Sequence, residues 1–215
     1  MKRIVLACVL LLPPLVLSGC QSAYYSAMEK VGIHKRDILV DRVEDTRAAQ
    51  DDAQAEFVSA LEQFRTVVNF EGGELESVYN DMQSAYDDSE AAAESVSDNI
   101  RQVEDVAEAL FDEWQGELDQ YTNTKLRNQS AQTLKETKSR YHALHTSLKR
   151  AEAKMQPVLA ALKDNTLFLK HNLNARAIGS LKGEFGGIKR DIDRLLAEMQ
   201  RSIKASDQFI REMQQ

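Results

Sequence analysis

The sequence predicts an all-α fold, an elongated antiparallel coiled-coil bundle of about four long helices. Three observations carry this. Apolar positions recur in alternating steps of four and three residues over most of the chain. Helix breakers are scarce, with nine glycines and three prolines among 215 residues, two of those prolines at positions 13 and 14. The places where the periodic pattern loses phase coincide with turn-forming residues. Steps of four and three average 3.5 residues, the period that keeps one seam facing a neighbour along a left-handed supercoil.

Four periodic runs follow one another. The first spans positions 39–67 and places Leu39, Val43, Thr46, Gln50, Phe57 and Phe64 on one edge. The second spans 75–121, from Leu75 and Tyr79 through Tyr86, Ser89 and Ile100 to Trp114, Glu117 and Tyr121. The third spans 130–162 with Leu134, Thr137, Tyr141, Leu148 and Met155, and the fourth spans 178–213 with Ile178, Phe185, Ile192, Ser202, Ser206 and Phe209. The aromatic residues fall on seam positions and are expected in the core. Thr46, Gln50, Ser89, Thr137, Ser202 and Ser206 put polar layers into a thin core, a pattern that sets register at a cost in stability.

Gly72-Gly73 parts the first two runs, since two glycines cost a helix interior roughly 2 kcal/mol relative to alanine. Thr122-Asn123-Thr124 offers cap and turn residues between the second and third. Near Asn172-Leu173-Asn174 the third run slips against the fourth, either as a turn between two helices or as a kink in one. Pro157 removes one ladder bond inside the third run and should bend it. The second helix is expected to run about 47 residues, some 70 Å at 1.5 Å per residue. Short turns make sequence neighbours antiparallel.

The N-terminus reads as an export signal over residues 1–19. Lys2 and Arg3 precede an apolar stretch at 4–17, and Ser18 and Gly19 then precede Cys20. A positive start, a short apolar core and a small-residue cleavage site are the parts of a secretory signal. The apolar run is 14 residues long, short of the roughly 20 that a spanning helix needs. Leu17-Ser18-Gly19-Cys20 resembles the lipobox of bacterial lipoproteins, which implies cleavage before Cys20 and acylation of its thiol with diacylglyceryl and palmitate-type chains. The only other cysteine, Cys8, leaves with the signal. An uncapped odd cysteine in an exported chain is a reactive liability, and lipid removes it. Gln21, where the sorting rule for inner-membrane retention has Asp, implies the outer membrane, with the bulk of the chain in the periplasm.

Residues 20–36 are expected to form a lipidated tether. Tyr24, Tyr25, Met28 and Val31 suit either a face resting on lipid headgroups or a spacer packed on the bundle base. Residues 37–215 then form the bundle. Positions 41–120 carry 23 acidic and 4 basic residues, and positions 121–215 carry 9 acidic and 18 basic. An acidic hairpin, 37–120, thus precedes a basic one, 121–215, and the two should attract, within one chain or between two. The acidic balance excludes nucleic acid as an expected partner.

Catalytic and metal motifs are missing from the sequence. There is no His-Glu-x-x-His and no Glu-x-x-His pair of the di-iron bundles, and no Gly-rich phosphate loop leads a helix. His142 and His145 share a helix face, but two ligands do not close a structural metal site. No enzyme activity, metal or cofactor is therefore expected. Gly179, Gly183 and Gly187 recur every four residues beside Gly186, a ridge costly in helix propensity. Close approach of a neighbouring helix is the first expected compensation, a hinge the second and a partner groove the third.

The stretch LFLKHNLNARAI at 167–178, with Asp112-Glu113-Trp114 and Glu117-Leu118-Asp119-Gln120-Tyr121 upstream, resembles an uncharacterised family of bacterial lipoproteins and coiled-coil proteins, domain of unknown function 2959. The resemblance implies fold and envelope location for nearly the whole mature chain and transfers no functional residue. Two roles are compatible with these features. One is a periplasmic rod that spaces or docks envelope proteins. The other is a carrier whose bundle opens around a lipid or other apolar ligand. Self-association is open to either.

Overall fold

The computed structural model describes residues 19–214. The described residues divide between two compact units, one ending at residue 34 and the other beginning at 35. The first contains helix α1 (Gly19–Lys30). It ends in a turn at Gly32, whose φ of 86° suits glycine. Tyr24, Tyr25, Met28 and Val31 do not share one environment. Tyr25 is buried, its ring edge-on to the exposed Tyr24, and Val31 is 72% exposed.

The second unit consists of α2 (Lys35–Val68), α3 (Leu75–Glu117), α4 (Thr124–His171) and α5 (Ala175–Met213), with a single 3-10 turn at Leu118–Gln120. No strand occurs among the described residues. Each helix packs on its chain neighbours, and α5 packs back on α2, so the four close into a ring. Contacts run in opposite directions along every adjacent pair. On α2 and α5, Arg47 meets Asp207, Gln50 meets Ser202, and Phe64 meets Phe185. On α3 and α4, His145 meets Glu104 and Phe111 meets Tyr141. The architecture is an up-down-up-down antiparallel bundle. Its longest helix, α4, has 48 residues, about 72 Å at the standard rise.

The periodic edge is the buried edge. All the first-run positions named above are buried, as are Met82, Tyr86, Ser89, Ile100 and Leu110 on α3, Leu134 through Leu162 on α4 apart from the half-buried Tyr141, and Ile178 through Met213 on α5 apart from the half-buried Phe185. Each helix in a ring touches two neighbours, which demands a stripe wider than one seam. Ile38, Ala49, Ala85, Val106, Leu159 and Ile203 supply the extra width.

Past Leu110 the seam departs from the expected phase. Phe111 and Leu118 are buried, while Glu117 and Tyr121 are exposed. The reason is the length of the neighbours. Lys35, the first residue of α2, reaches Glu113 with its Nζ 2.9 Å from Oε1. Beyond that level α2 no longer flanks α3, so the buried stripe turns toward α4. The helix accordingly ends at 117, four positions before the expected end.

The turns form where the residues require them. Gly72 and Gly73 have φ of 152° and 119°, values that a side chain rarely tolerates. Asn123 caps α4 by accepting from the backbone N–H of Lys125 and Leu126 at 3.0 and 3.2 Å. Asn174 caps α5 in the same way through Arg176 and Ala177. Such caps stabilise a helix start by about 1 kcal/mol, and the second one settles α4 and α5 as separate helices. Helix α4 runs unbroken through Pro157. The proline lies on the exposed face, where water can satisfy the carbonyl its missing N–H leaves free.

Candidate functional site

The expected lipidation residue, Cys20, is the second residue of α1. Residues 1–18 of the expected signal, 1–19, and the Cys20 side chain lie outside the described part of the structure. Among the described residues no helix is long and apolar enough to cross a membrane, and no cluster of three His, Cys, Asp or Glu could hold a metal ion.

Within the bundle, the most distinctive chemistry is a polar layer in the seam between α2 and α5. Thr46, Gln50, Ser202 and Ser206 are all fully buried there. The Thr46 hydroxyl donates to its own helix, at the Arg42 carbonyl, 2.7 Å away. Gln50 Nε2 donates to Ser202 Oγ across the seam at 3.1 Å. Gln50 Oε1 and Ser206 Oγ have no partner. Arg47 Nε sits 2.9 Å from Asp207 Oδ1 beside this layer, a charge contact without hydrogen-bond alignment. A buried polar atom left unpaired costs about 1–3 kcal/mol, so this seam is held less firmly than an apolar one. Ser89 makes the contrast. Its hydroxyl reaches both its own Ala85 carbonyl and, across to α2, the Glu56 carbonyl.

The histidine pair is not a ligand set. His142 is exposed, whereas His145 stacks on Tyr141 and shares Glu104 with Lys149. Hydrogen bonding to Glu152 is the main reason the Lys149 ammonium holds its proton more tightly than usual, with Glu104 adding to it. Burial, followed by the nearby carboxylates Glu104, Glu108 and Asp105, pushes Tyr141 up to about 12. Tyr86 also rises to about 12, through burial first and its hydrogen bond to Glu90 second. His145 and Lys149 on Glu104 join α4 to α3, as do Lys138 over the Phe111 ring and Lys163 over the Tyr86 ring. The opposite charges of the two hairpins thus meet partly through aromatic faces. One ion pair is even inverted, with its cation, Arg47, on the acidic half and its anion, Asp207, on the basic half.

The glycine ridge corrects the first expectation made for it. A Cβ added at Gly179, Gly183 or Gly187 would meet nothing within 4 Å, and at Gly186 only the end of the Arg190 side chain at 3.6 Å. No neighbouring helix lies against the ridge, because Ile178, Leu181 and Ile188 point the buried face of α5 the other way. Near it, Leu167, Phe168 and Leu173 are each more than 40% exposed.

A second feature that periodicity missed is the far end of the α3–α4 hairpin. Residues 121–129 are all exposed, and Leu134 is the first deeply buried residue of α4. Trp114 is half-buried there, its indole N–H donating to Ser130 Oγ at 2.8 Å. The available signal was the unequal length of the runs, since the second starts well after the first yet reaches far beyond its partner's end.

The molecule belongs to the class of antiparallel four-helix bundles preceded by a short helical segment. The model of a family described as a protein of unknown function (DUF2959) matches residues 24–213, and the chain belongs to that family. No curated protein and no solved structure matches it.

Proposed function

We propose that this chain is a lipid-anchored spacer of the cell envelope, non-enzymatic, held at the outer membrane through acylated Cys20 and extending its bundle into the periplasm to position other envelope proteins. One observation carries the reading. A lipobox-type cysteine precedes, by fifteen positions, a closed ring of helices 34–48 residues long. A stiff element of that length, tied at one end, sets a distance from a surface. Side chains fill its interior, so the same helices that give length give rigidity.

Fractionation of cells expressing the wild type and Cys20→Ala tests the anchor. The wild type is expected in the outer-membrane fraction with a mature N-terminus at acylated Cys20, and the variant is expected to lose acylation. An unmodified Cys20, or a mature terminus elsewhere, would overturn the reading. Affinity capture from solubilised envelope tests the docking role, and failure to recover any reproducible partner would count against it.

The seam between α2 and α5 supports a second reading, a carrier that opens to hold an apolar ligand. These are the first and last long helices, so they can part without breaking a turn, and their seam holds the unpartnered Gln50 Oε1 and Ser206 Oγ. Native mass spectrometry with lipid, combined with hydrogen exchange across 46–54 and 199–206, tests it. A carrier shows bound lipid and altered exchange in both segments, and a spacer shows neither.

A further inference from the structure

We infer that the projecting tip of the α3–α4 hairpin is a contact site for an anionic lipid surface, an inference that rests on the anchored reading above. The tip lies at the end of the bundle where the chain enters. Lys35 opens α2 beside Glu113, and Arg36 donates to the carbonyl of Met213, the last residue of α5. Within the second unit, α3, the 3-10 turn and α4 continue past this level, and α2 and α5 do not. Along α4 the extension runs over residues 124–136, about 18 Å at 1.5 Å per residue.

The length of the tether allows the tip and the anchor to meet one plane. From Cys20 to Lys30 the chain is helical and rises about 15 Å. From Lys30 to Lys35 five residue steps span at most about 17 Å. The bundle therefore starts no more than about 32 Å from an acylated Cys20, and a projection of about 18 Å lies within that reach.

The surface chemistry suits headgroups. Tyr121 is 41% exposed and Leu126 is 51% exposed, and with Trp114, Gln129, Ser130 and Thr133 they line one shallow concavity. Tryptophan and tyrosine favour the headgroup level, where the ring is apolar and its edge wet. Lys125 and Arg127 flank Leu126 and are exposed. Arg127 keeps one contact to Asp119 at 3.6 Å and donates Nε to the Leu118 carbonyl. Glu117 on α3 and Glu136 on α4, which accepts from Gln132 Nε2 at 2.7 Å, are the other acids of the projection, and Lys135 is its third basic residue. The Asn123 cap holds the first turn of α4 in place, so the apolar and basic groups are presented on a rigid support.

Trp114 is the sole tryptophan, which makes its fluorescence a direct reporter. The full chain is purified from bacterial membranes and reconstituted in phosphatidylethanolamine–phosphatidylglycerol vesicles carrying brominated acyl chains, or in phosphatidylcholine alone. Expected are a blue-shifted Trp114 emission and strong bromine quenching in the anionic vesicles, with little in phosphatidylcholine and a loss of quenching at high salt. Leu126→Glu and Tyr121→Glu, both at exposed positions, should abolish the quenching while leaving the melting curve unchanged. Lys125→Gln should shift the docked-to-free ratio about fivefold.

Equal quenching in both lipids, or quenching indifferent to Leu126→Glu, would overturn the inference. So would an emission shift that depends on protein concentration without lipid, which would assign the tip to a second copy of the chain. The mass of the same preparation separates the two readings. An acylated chain with an unquenched Trp114 overturns the tip alone, and an unacylated chain overturns the anchor on which it rests.

Discussion

Replacing the ridge glycines of α5 by alanine should stabilise the protein. Gly179, Gly183 and Gly187 lie inside a 39-residue helix, have no positive φ, and leave open space where a Cβ would stand. Alanine there adds no clash and removes the entropy that glycine carries in the unfolded chain. The intrinsic difference is about 0.8–1.0 kcal/mol per residue in a helix interior. Folded-protein values run nearer 0.4–1, so the triple variant should gain about 2 kcal/mol. For a chain of this size that raises the melting midpoint by about 4–8 °C.

Circular dichroism at 222 nm during heating, with urea titration alongside, measures it. The urea midpoint should rise with an unchanged slope, because the surface exposed on unfolding is the same. Gly72→Ala and Gly73→Ala form the opposing control. Both sit at positive φ, so alanine there should lower stability by about 1–2 kcal/mol. A ridge variant that is neutral or less stable than wild type would refute the reasoning, because it would mean that something packs on that face. A gain in stability accompanied by loss of activity in cells would mark the ridge as a site kept flexible or kept bare for a partner.

Three further outcomes are expected. Ser206→Ala removes a buried hydroxyl without a partner and should leave the unfolding free energy from urea titration unchanged or raise it by about 1 kcal/mol, whereas Gln50→Ala breaks the bond to Ser202 and opens a cavity, costing about 2–3 kcal/mol; a destabilised Ser206→Ala would mean that a bound water pairs that oxygen. Glu104→Gln removes the carboxylate shared by His145 and Lys149 and should cost about 0.5–1 kcal/mol at low salt, shrinking in 1 M NaCl as the charges are screened; a loss equal at both salt levels would deny charge pairing between the hairpins. Tyr86 and Tyr141 hold their protons to about pH 12 when folded, against 10 for the ordinary phenol. The unfolded chain therefore releases these protons first as pH rises, so their stabilising contribution is complete below pH 10 and disappears between 10 and 12. Unfolding titrations over that window should show a falling midpoint, with a shallower fall in Tyr141→Phe, and an identical slope in that variant would contradict the assignment.

The four-and-three periodicity made the helices legible before any coordinates, because side chains on a 3.6-residue helix can reach one core only at those steps. Gly72-Gly73 and Asn123 were legible as boundaries for a related reason, since turns and caps depend on backbone freedom and on side-chain oxygens close in sequence, whereas the stretch at Asn172-Leu173-Asn174 read equally as a turn or a kink until the Asn174 cap was seen. The seam's phase past Leu110 was not legible. Which of Phe111 and Trp114 turns inward depends on where α2 begins beside α3, and that level is set by packing between segments far apart in the chain. The glycine ridge failed in the same way. A repeat of glycines shows a smooth face but not what lies opposite it.

By itself, then, the amino-acid order determined the helical content, the turns at Gly72-Gly73 and Asn123 and the polar layers along the seams, because each follows from interactions within a few residues, while the separation of α4 from α5 waited for the Asn174 cap. Tertiary structure alone decided that α5 closes on α2, that Gln50 meets Ser202 there, that the ridge faces outward and that the α3–α4 tip stands clear of its neighbours. Those outcomes depend on helix lengths matched in space, and contact between distant faces has no counterpart in local spacing.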